Sequence, residues 1–400
     1  KDHIDSQYSS QITVFNTCAV TSEAERKAKK AIRKIKALNP NSKILVTGCA
    51  AQINPEKWSI MPEVNYVVGN KEKVDKNFWA SFLKNESQLK EDIVVSDIMT
   101  LKETSNHLLN NFDEKTRCFL QIQNGCDHRC TFCIIPFARG NSRSIPKKEI
   151  KNQIESLVFG GVREIVLTGV DITSWGLDFN NKERLGDLIQ FILVSIPALQ
   201  RLRISSIDSI EIDQKLMDLF CQESRLMPHL HLSLQSGDNM ILKRMKRRHS
   251  REDSIKFCSM LKQTRPEITF SADIIAGFPT ETEEMFKNTI SIIEECKIDW
   301  IHVFPYSSRV GTPASKMPQI PKSEIDKRSS MLRKISNRRL KKHLNTKVGS
   351  IQKVLVEGNA KGFTEDYSRV SFQEGPKIGE IITMKIEKRL DNELFGIPTN

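Results

Sequence analysis

The sequence predicts an α/β protein in three parts: a parallel α/β segment over residues 1–101, a partial (β/α) barrel over residues 112–344 and a small β-barrel over residues 345–400. Three observations carry that reading. Strand and helix patterns alternate from Ile12 to Leu83, a strand–loop–helix unit recurs at least five times between Phe119 and Phe304, and short β-type runs with turn residues fill the tail. A chain of 400 residues is too long for one average domain and long enough to bury its cores without disulfides.

In the first part, Ile12–Phe15 and Lys43–Thr47 read as buried strands around a helix from Ser22 to Leu38, and this alternation implies a parallel sheet. Val67–Gly69 and a helical run from Lys71 to Leu83 continue it. The polar stretch Lys102–Arg117 has no periodicity and reads as a linker, which places a boundary there. In the second part the strands are Phe119–Gln123, Glu164–Thr168, Arg201–Ser205, His229–Ser233, Ile268–Ile275 and Ile301–Phe304. Helical patterns at Lys147–Phe159, Leu185–Val194, Asp213–Cys221, Arg251–Lys262 and Thr282–Glu295 lie between them. In such a barrel the working face is the set of loops after the strands. Beyond Thr312–Pro321, a basic helical run from Lys322 to His343 leads to β-type segments Ile351–Val356, Arg369–Phe372 and Ile381–Ile386. Short strands so grouped suggest the kind of small barrel that often holds nucleic acid.

Composition narrows the function classes. With 38% hydrophobic and 28% charged residues, and no apolar stretch near the roughly 18 residues of a membrane span, the chain reads as neither membrane-embedded nor disordered. The N-terminal residues lack an apolar signal region, so a cytoplasmic location is expected. A net charge of +12 points to a polyanionic partner such as nucleic acid, although a generally basic proteome yields the same number. Nine cysteines in a reducing compartment are expected to be metal ligands or catalytic thiols, not disulfides.

The cysteines are the sharpest signal. Cys126, Cys130 and Cys133, spaced CxxxCxxC, follow directly on the first predicted barrel strand. A short loop so spaced wraps three thiolates around one face of a four-iron cluster and leaves the fourth iron open. An open, low-potential iron suits chelation of the amino and carboxylate groups of S-adenosylmethionine (SAM) and electron transfer into its sulfonium bond. The competing reading makes His128 a zinc ligand, but no partner pair with zinc-finger spacing follows.

In its extended form, Gln121–Cys126 through Cys133–Gly140, the loop resembles the signature of the radical-SAM methylthiotransferases. His231-Leu-Ser-Leu-Gln-Ser-Gly237, Met245–Arg248, Asp273-Ile-Ile-Ala-Gly-Phe-Pro279 with Glu281-Thr282, and Tyr306–Thr312 match that family's pattern in order, so the resemblance spans nearly the whole chain. It implies an N-terminal domain with an auxiliary [4Fe-4S] cluster, a radical-SAM core with a SAM-binding [4Fe-4S] cluster, and a C-terminal TRAM domain that binds RNA. Cys18 and Cys49, each after a predicted strand, match two of the three auxiliary-cluster cysteines. The family's first such cysteine normally precedes the position of Lys1, and a truncated start is the expected explanation, since the chain does not begin with Met.

Further cofactor-binding candidates are Gly169 and Asp171 after the second barrel strand, where the family often contacts the SAM amino group, Ser205 and Gln235 at later strand ends, and Phe132 beside the cluster ligands. For the polar ones a loop-stabilising hydrogen bond stands as an equal reading. Cys118 is expected to be packed within a strand, and Cys221, Cys258 and Cys296 to be core thiols. The basic runs Lys243–Arg248 and Arg333–Lys342 either lie along RNA phosphates or form solvated helix faces.

Within the family, Ile165–Gly176 is most similar to the branch that inserts sulfur and a methyl group at C2 of N6-threonylcarbamoyladenosine at position 37 of tRNA. The resemblance implies one SAM as methyl donor, another as source of the radical that abstracts the C2 hydrogen, and an electron donor such as flavodoxin or ferredoxin. Radical chemistry suits the target, because an aromatic C–H has no useful acidity for a general base. The alternatives are methylthiolation of a ribosomal-protein aspartate or of isopentenyladenosine, and an RNA-binding protein with a purely structural cluster.

Overall fold

The computed structural model describes residues 12–84, 92–101, 116–358, 360–373 and 375–399. The expected linker, Lys102–Arg117, lies outside the described residues except for its last two positions. The chain divides into two compact units that do not follow its order. One gathers the described residues up to Leu101 with the cysteine loop Gly125–Asn141 and the segment Ser307–Lys316; the other holds the remaining described residues.

The first unit is built on a parallel sheet ordered Ile12–Thr17, Lys43–Gly48, Tyr66–Val68 and Ile93–Val94. The helix Ser22–Leu38 has the bounds that its periodicity predicts, and Thr21 caps it by accepting a hydrogen bond from the Ala24 amide. Its Ile32 and Ile35 are buried against Ile44, Val46, Ala50, Ala51 and Trp58. Ile134 and Ala138 of the cysteine loop join that same core, so the loop is packed on the sheet and does not hang from the barrel strand that precedes it. The segment Ser307–Lys316 is tied to the unit as well: Arg309 forms an ion pair with Glu25, and Ala314 donates its amide to the Thr131 carbonyl at 2.9 Å.

In the second unit, parallel pairing runs Arg117–Gln121, Glu164–Thr168 and Arg201–Ile204, and then Ser206–Ile207, His229–Gln235, Thr269–Ala276 and Trp300–Pro305. Only Ser205 interrupts the third strand, and a Leu202–Leu226 bridge lies beside the break, so the whole is the expected partial barrel. Its helices bury one aliphatic face of the strands, with Leu230, Leu232, Leu234, Phe270, Ala272 and Ile274 in a single core. The tail closes into a five-stranded barrel, two strands of which, Lys361–Thr364 and Glu393–Pro398, are additional to the β-type segments read from the sequence. Val354, Val356, Val370, Met384, Ile386 and Leu394 fill it, together with Leu344 from the long helix Lys322–Lys347.

This small barrel is docked onto the strand starts through buried charge. Arg201, only 2% exposed, donates to the carbonyls of Lys353 and Phe363. Glu164 is fully buried and binds Arg203 at 2.7 Å, with Arg201 at 3.7 Å. Burial pushes the Glu164 carboxyl up, but Arg203, Arg201 and Arg117 outweigh it and hold the group below its ordinary range. Tyr367 of the tail packs against the Arg203 and Arg117 guanidinium groups, and His229 stacks between Tyr367 and Trp300. Removing the anion leaves two buried cations uncompensated, so Glu164→Gln is expected to lower stability by about 3–5 kcal/mol. Denaturant unfolding checks this, and a loss below about 1 kcal/mol contradicts a buried network of this kind.

Candidate cluster and cofactor sites

In the first unit, the parallel register pairs Thr17 with Gly48, the last residues of adjacent strands, so Cys18 and Cys49 follow side-by-side strand ends. Gly48 has φ +98°, and a Cβ there would lie 2.4 Å from the Thr17 amide nitrogen and carbonyl oxygen. Only glycine lets the two strand ends approach this closely. Cys18 is exposed and its sulfur accepts from the Val20 amide at 3.4 Å, whereas Cys49 is buried. The Cys49 sulfur accepts from Arg139 Nε at 3.0 Å and lies 4.0 Å from Asn70 Nδ2, which also donates to the Ala138 carbonyl at 2.8 Å. Lys73 is close enough to feel both groups. Its burial, and then the Arg139 cation, lower its pKa to about 8, with Cys49 opposing. Two cations beside one sulfur form an electrostatic setting that suits an anionic cluster.

The loop carrying Cys126, Cys130 and Cys133 belongs to this unit and is closed on itself. Cys126 donates its amide to the Gly140 carbonyl at 3.1 Å, and Cys133 donates to the Cys130 carbonyl at 3.0 Å. Arg129 braces the loop from within by donating to the Cys126 carbonyl and to Asn141 Oδ1, both at 2.6 Å. Gly125, at φ +75°, has the Asn141 carbonyl oxygen 1.8 Å from where a Cβ would stand. Cys130 is buried, and Cys126, Cys133 and Phe132 are half-buried. No cysteine is in a disulfide. A donor set of three thiols on one braced loop fits a cluster with one iron left for a cofactor.

The remaining candidates lie in the second unit. Asp171 accepts from the Thr173 and Ser174 hydroxyls, and Gln123 Oε1 accepts from the Val170 and Asp171 amides, so this loop is internally bonded. A Cβ on Gly169 would meet the Gln123 carbonyl oxygen at 2.9 Å, which explains glycine by close packing. Ser205 differs: its hydroxyl is buried without a hydrogen-bond partner at the strand break, which fits a polar ligand atom arriving there. Gln235 ends its strand at φ +67°, a conformation costly for a side chain and frequent at functional sites. Glu211, which pattern reading missed, has its pKa raised to about 7 by burial and then by the Asp171 charge, with Arg248 opposing and Asp208 adding to the rise. This crowd of carboxylates suits a cationic ligand.

Other expectations need adjustment. Cys118, Cys258 and Cys296 are buried, but Cys221 is exposed, because it falls on the outer face of the helix Gln214–Gln222, where its sulfur meets the Thr264 hydroxyl. The run Lys243–Arg248 is mostly committed to the fold: Arg247 binds Asp208 at 2.5 Å, Arg248 binds Glu211 at 2.6 Å, and Arg244 donates to Thr280.

Comparison with known proteins identifies the architecture. A model of the Radical SAM superfamily matches residues 120–293, and one of the uncharacterized protein family UPF0004 matches residues 2–69. The threonylcarbamoyladenosine tRNA methylthiotransferase MtaB of Rickettsia prowazekii is 47% identical over 375 residues, 94% of this chain and 87% of its own. MtaB of Aquifex aeolicus is 34% identical over 94% of this chain and 90% of its own. The tRNA-2-methylthio-N(6)-dimethylallyladenosine synthase of Bacillus subtilis is 30% identical, covering 96% and 78%. The radical S-adenosylmethionine methyltransferase TsrM of Kitasatospora setae superposes with a TM-score of 0.55 at 15% identity over 77% of this chain and 65% of its own, a likeness of fold alone. Cysteine loop and partial barrel are thus those of the radical-SAM class. Within it, the chain belongs to the methylthiotransferase family.

The raised pKa of Glu211 has a measurable consequence for stability. Unfolded, this carboxyl loses its proton near 4.5; folded, it keeps it to about 7. The native state therefore becomes progressively less favoured as pH rises through that window. Glu211→Gln is expected to unfold at a higher temperature than the natural protein at pH 8 and at the same temperature at pH 4, by calorimetry. A gap that is constant with pH contradicts the assignment.

Proposed function

We propose that this protein methylthiolates C2 of N6-threonylcarbamoyladenosine at position 37 in the anticodon loop of tRNA, in the cytoplasm, drawing electrons from a flavodoxin or ferredoxin. The observation that carries this reading is the contact between Arg139, from the helix Ile135–Arg139 that ends the cysteine loop, and the sulfur of Cys49. It brings the SAM-type cysteine loop and a cysteine of the proposed auxiliary site into one packed unit, as insertion of sulfur by a radical requires. The names of several relatives support the choice of nucleoside. In this reading Cys126, Cys130 and Cys133 hold one [4Fe-4S] cluster, and Cys18 and Cys49 contribute to a second. When bound, the first supplies the electron that cleaves SAM to a 5′-deoxyadenosyl radical able to take the C2 hydrogen.

The chain's own residues then have defined tasks. Arg129 and Gly125 hold the loop in shape, while Arg139 and Lys73 neutralise charge around Cys49. Asp171 offers a carboxylate to the cationic SAM, and the Ser205 hydroxyl and Gln235 amide offer hydrogen bonds to its polar atoms. Phe132 shields the loop's sulfurs from water. Single-stranded anticodon loops leave base 37 reachable without melting a duplex. The basic face of the helix Lys322–Lys347, where Lys334, Arg338, Lys341 and Lys342 lie together, suits the tRNA backbone.

Nucleoside analysis of tRNA from a deletion strain tests the reading. The expected result is loss of 2-methylthio-N6-threonylcarbamoyladenosine with its unthiolated precursor retained, restored by the natural gene and not by Cys126→Ala. An unchanged tRNA profile with an altered ribosomal protein overturns it. For the basic helix, the variant Lys334→Ala/Arg338→Ala/Lys342→Ala is expected to bind tRNA more weakly at every sequence. Each lost phosphate contact should also flatten the log–log salt dependence by about 0.7–0.9, measured by filter binding. An unaltered slope removes the helix from the interface.

A further inference from the structure

We propose that His231, Asp273 and His302 form a mononuclear site for a divalent first-row metal ion, distinct from the cysteines. The three residues occupy adjacent parallel strands, His229–Gln235, Thr269–Ala276 and Trp300–Pro305, with Asp273 opposite His302 in register and His231 opposite Ser271. All three lie on the face of the sheet away from its aliphatic core, whose members Leu230, Leu232, Ala272, Ile274 and Ile301 are the alternate residues of the same strands. The segments beginning at His231 and Asp273 belong to the patterns that carried the family resemblance. The cluster and SAM chemistry described above uses none of His231, Asp273 and His302.

The geometry is that of a ligand set. His231 Nε2 is 2.9 Å from Asp273 Oδ1, His302 Nδ1 is 3.5 Å from the same oxygen, and one atom from each residue falls within 4.8 Å of both others. A cation bound at about 2.0–2.2 Å holds adjacent ligand atoms about 2.8–3.6 Å apart in octahedral or tetrahedral arrangements. Both nitrogen–oxygen distances fall in that span. Two imidazole nitrogens and one carboxylate oxygen, without thiolate, favour zinc, iron(II) or manganese(II) over calcium, magnesium or a cluster.

The surroundings prepare the donors. His231 Nδ1 is 2.8 Å from the Ser271 hydroxyl, which also meets His229 Nε2 at 2.9 Å, so the distal nitrogen of His231 is occupied and its Nε2 is the one aimed at Asp273. One Asp273 carboxylate oxygen faces both imidazoles, with His231 Nε2 and His302 Nδ1 converging on Oδ1. Side-chain exposure rises from 13% at His231 to 24% at Asp273 and 58% at His302, so the site is anchored on one side and open on the other. Three protein ligands with an open side leave coordination positions for water or for an oxygen donor such as a carboxylate.

The test uses the full chain with its clusters reconstituted, stripped with EDTA and dialysed against Zn2+ without oxygen, with zinc and iron measured together by mass spectrometry. The expected result is about one zinc per chain in the natural protein and at least a tenfold weaker zinc affinity in both Asp273→Asn and His302→Gln, with iron content unchanged. Because His302 is mostly exposed, its substitution leaves folding intact, and an unchanged thermal midpoint confirms this. Ser271→Ala, which frees the His231 ring without removing a ligand, is expected to weaken zinc binding about 10–100-fold. Equal zinc in the natural protein and both ligand variants places the metal on cysteines and overturns the proposal. So does failure of the natural protein to take up zinc, which leaves His231 and Asp273 as a hydrogen-bonded pair. None of these readouts depends on the identity of the nucleoside modified.

Discussion

The hydrogen bond from Arg139 to the sulfur of Cys49 is the contact that ties the cysteine loop to the end of the N-terminal sheet. Forming it requires the helix Ile135–Arg139 to lie against the start of the helix Cys49–Ile53, and Ile134 and Ala138 secure this by burying themselves with Ala50 and Ala51. Dispersion and apolar burial thus position a charge. Asn70 repeats the link in polar form by bridging toward Cys49 and the Ala138 carbonyl. The cysteine loop is consequently part of the N-terminal sheet's core, although in sequence it follows a barrel strand. Arg309, pairing with Glu25, attaches a third segment from far along the chain to the same unit.

A different constraint governs the second unit. The starts of its strands carry Arg201, Arg203 and Glu164, charges that no parallel sheet buries without compensation. The tail supplies part of that compensation: carbonyls of Lys353 and Phe363 for Arg201, and the ring of Tyr367 for Arg203. The small barrel therefore seals the end of the partial barrel that its strands' polar starts would otherwise expose. The same buried charge that makes docking specific makes it sensitive to loss of one partner.

Much of this was legible in the sequence. Periodicity gave the helix Ser22–Leu38 and the order of the barrel strands, and spacing gave the cysteine loop. What escaped was whatever depended on partners remote in sequence. The strands Lys361–Thr364 and Glu393–Pro398 each contain glycine and are only four and six residues long, so local propensity marks them as turns; closure of the barrel makes them strands. Arg247 and Arg248 looked like a phosphate-binding run because Asp208 and Glu211, which neutralise them, lie on another loop. The role of Arg139 was invisible for the same reason: its partner is 90 positions away.

The segment His-Leu-His-Leu-Ser-Leu-Gln shows how far alternation alone can be pressed. Its period of two specifies a strand with leucines toward the helices, and His229–Gln235 is that strand. A closed eight-stranded barrel fills its interior with branched apolar side chains, so the opposite face of such a strand should be apolar too. Here that face carries His229, His231, Ser233 and Gln235, and the next strand adds Thr269, Ser271 and Asp273. Polar residues at such positions lower the stability that an apolar interior would give, and are tolerated only where hydrogen bonds or ligands satisfy them. The chain from His229 through Ser271 to His231 and Asp273 satisfies most of them internally. His229 Nδ1 stays buried without a hydrogen-bond partner, and so does the Ser205 hydroxyl at the strand break, which with the exposed edge of His302 offers a bound molecule hydrogen bonding or coordination still to be met.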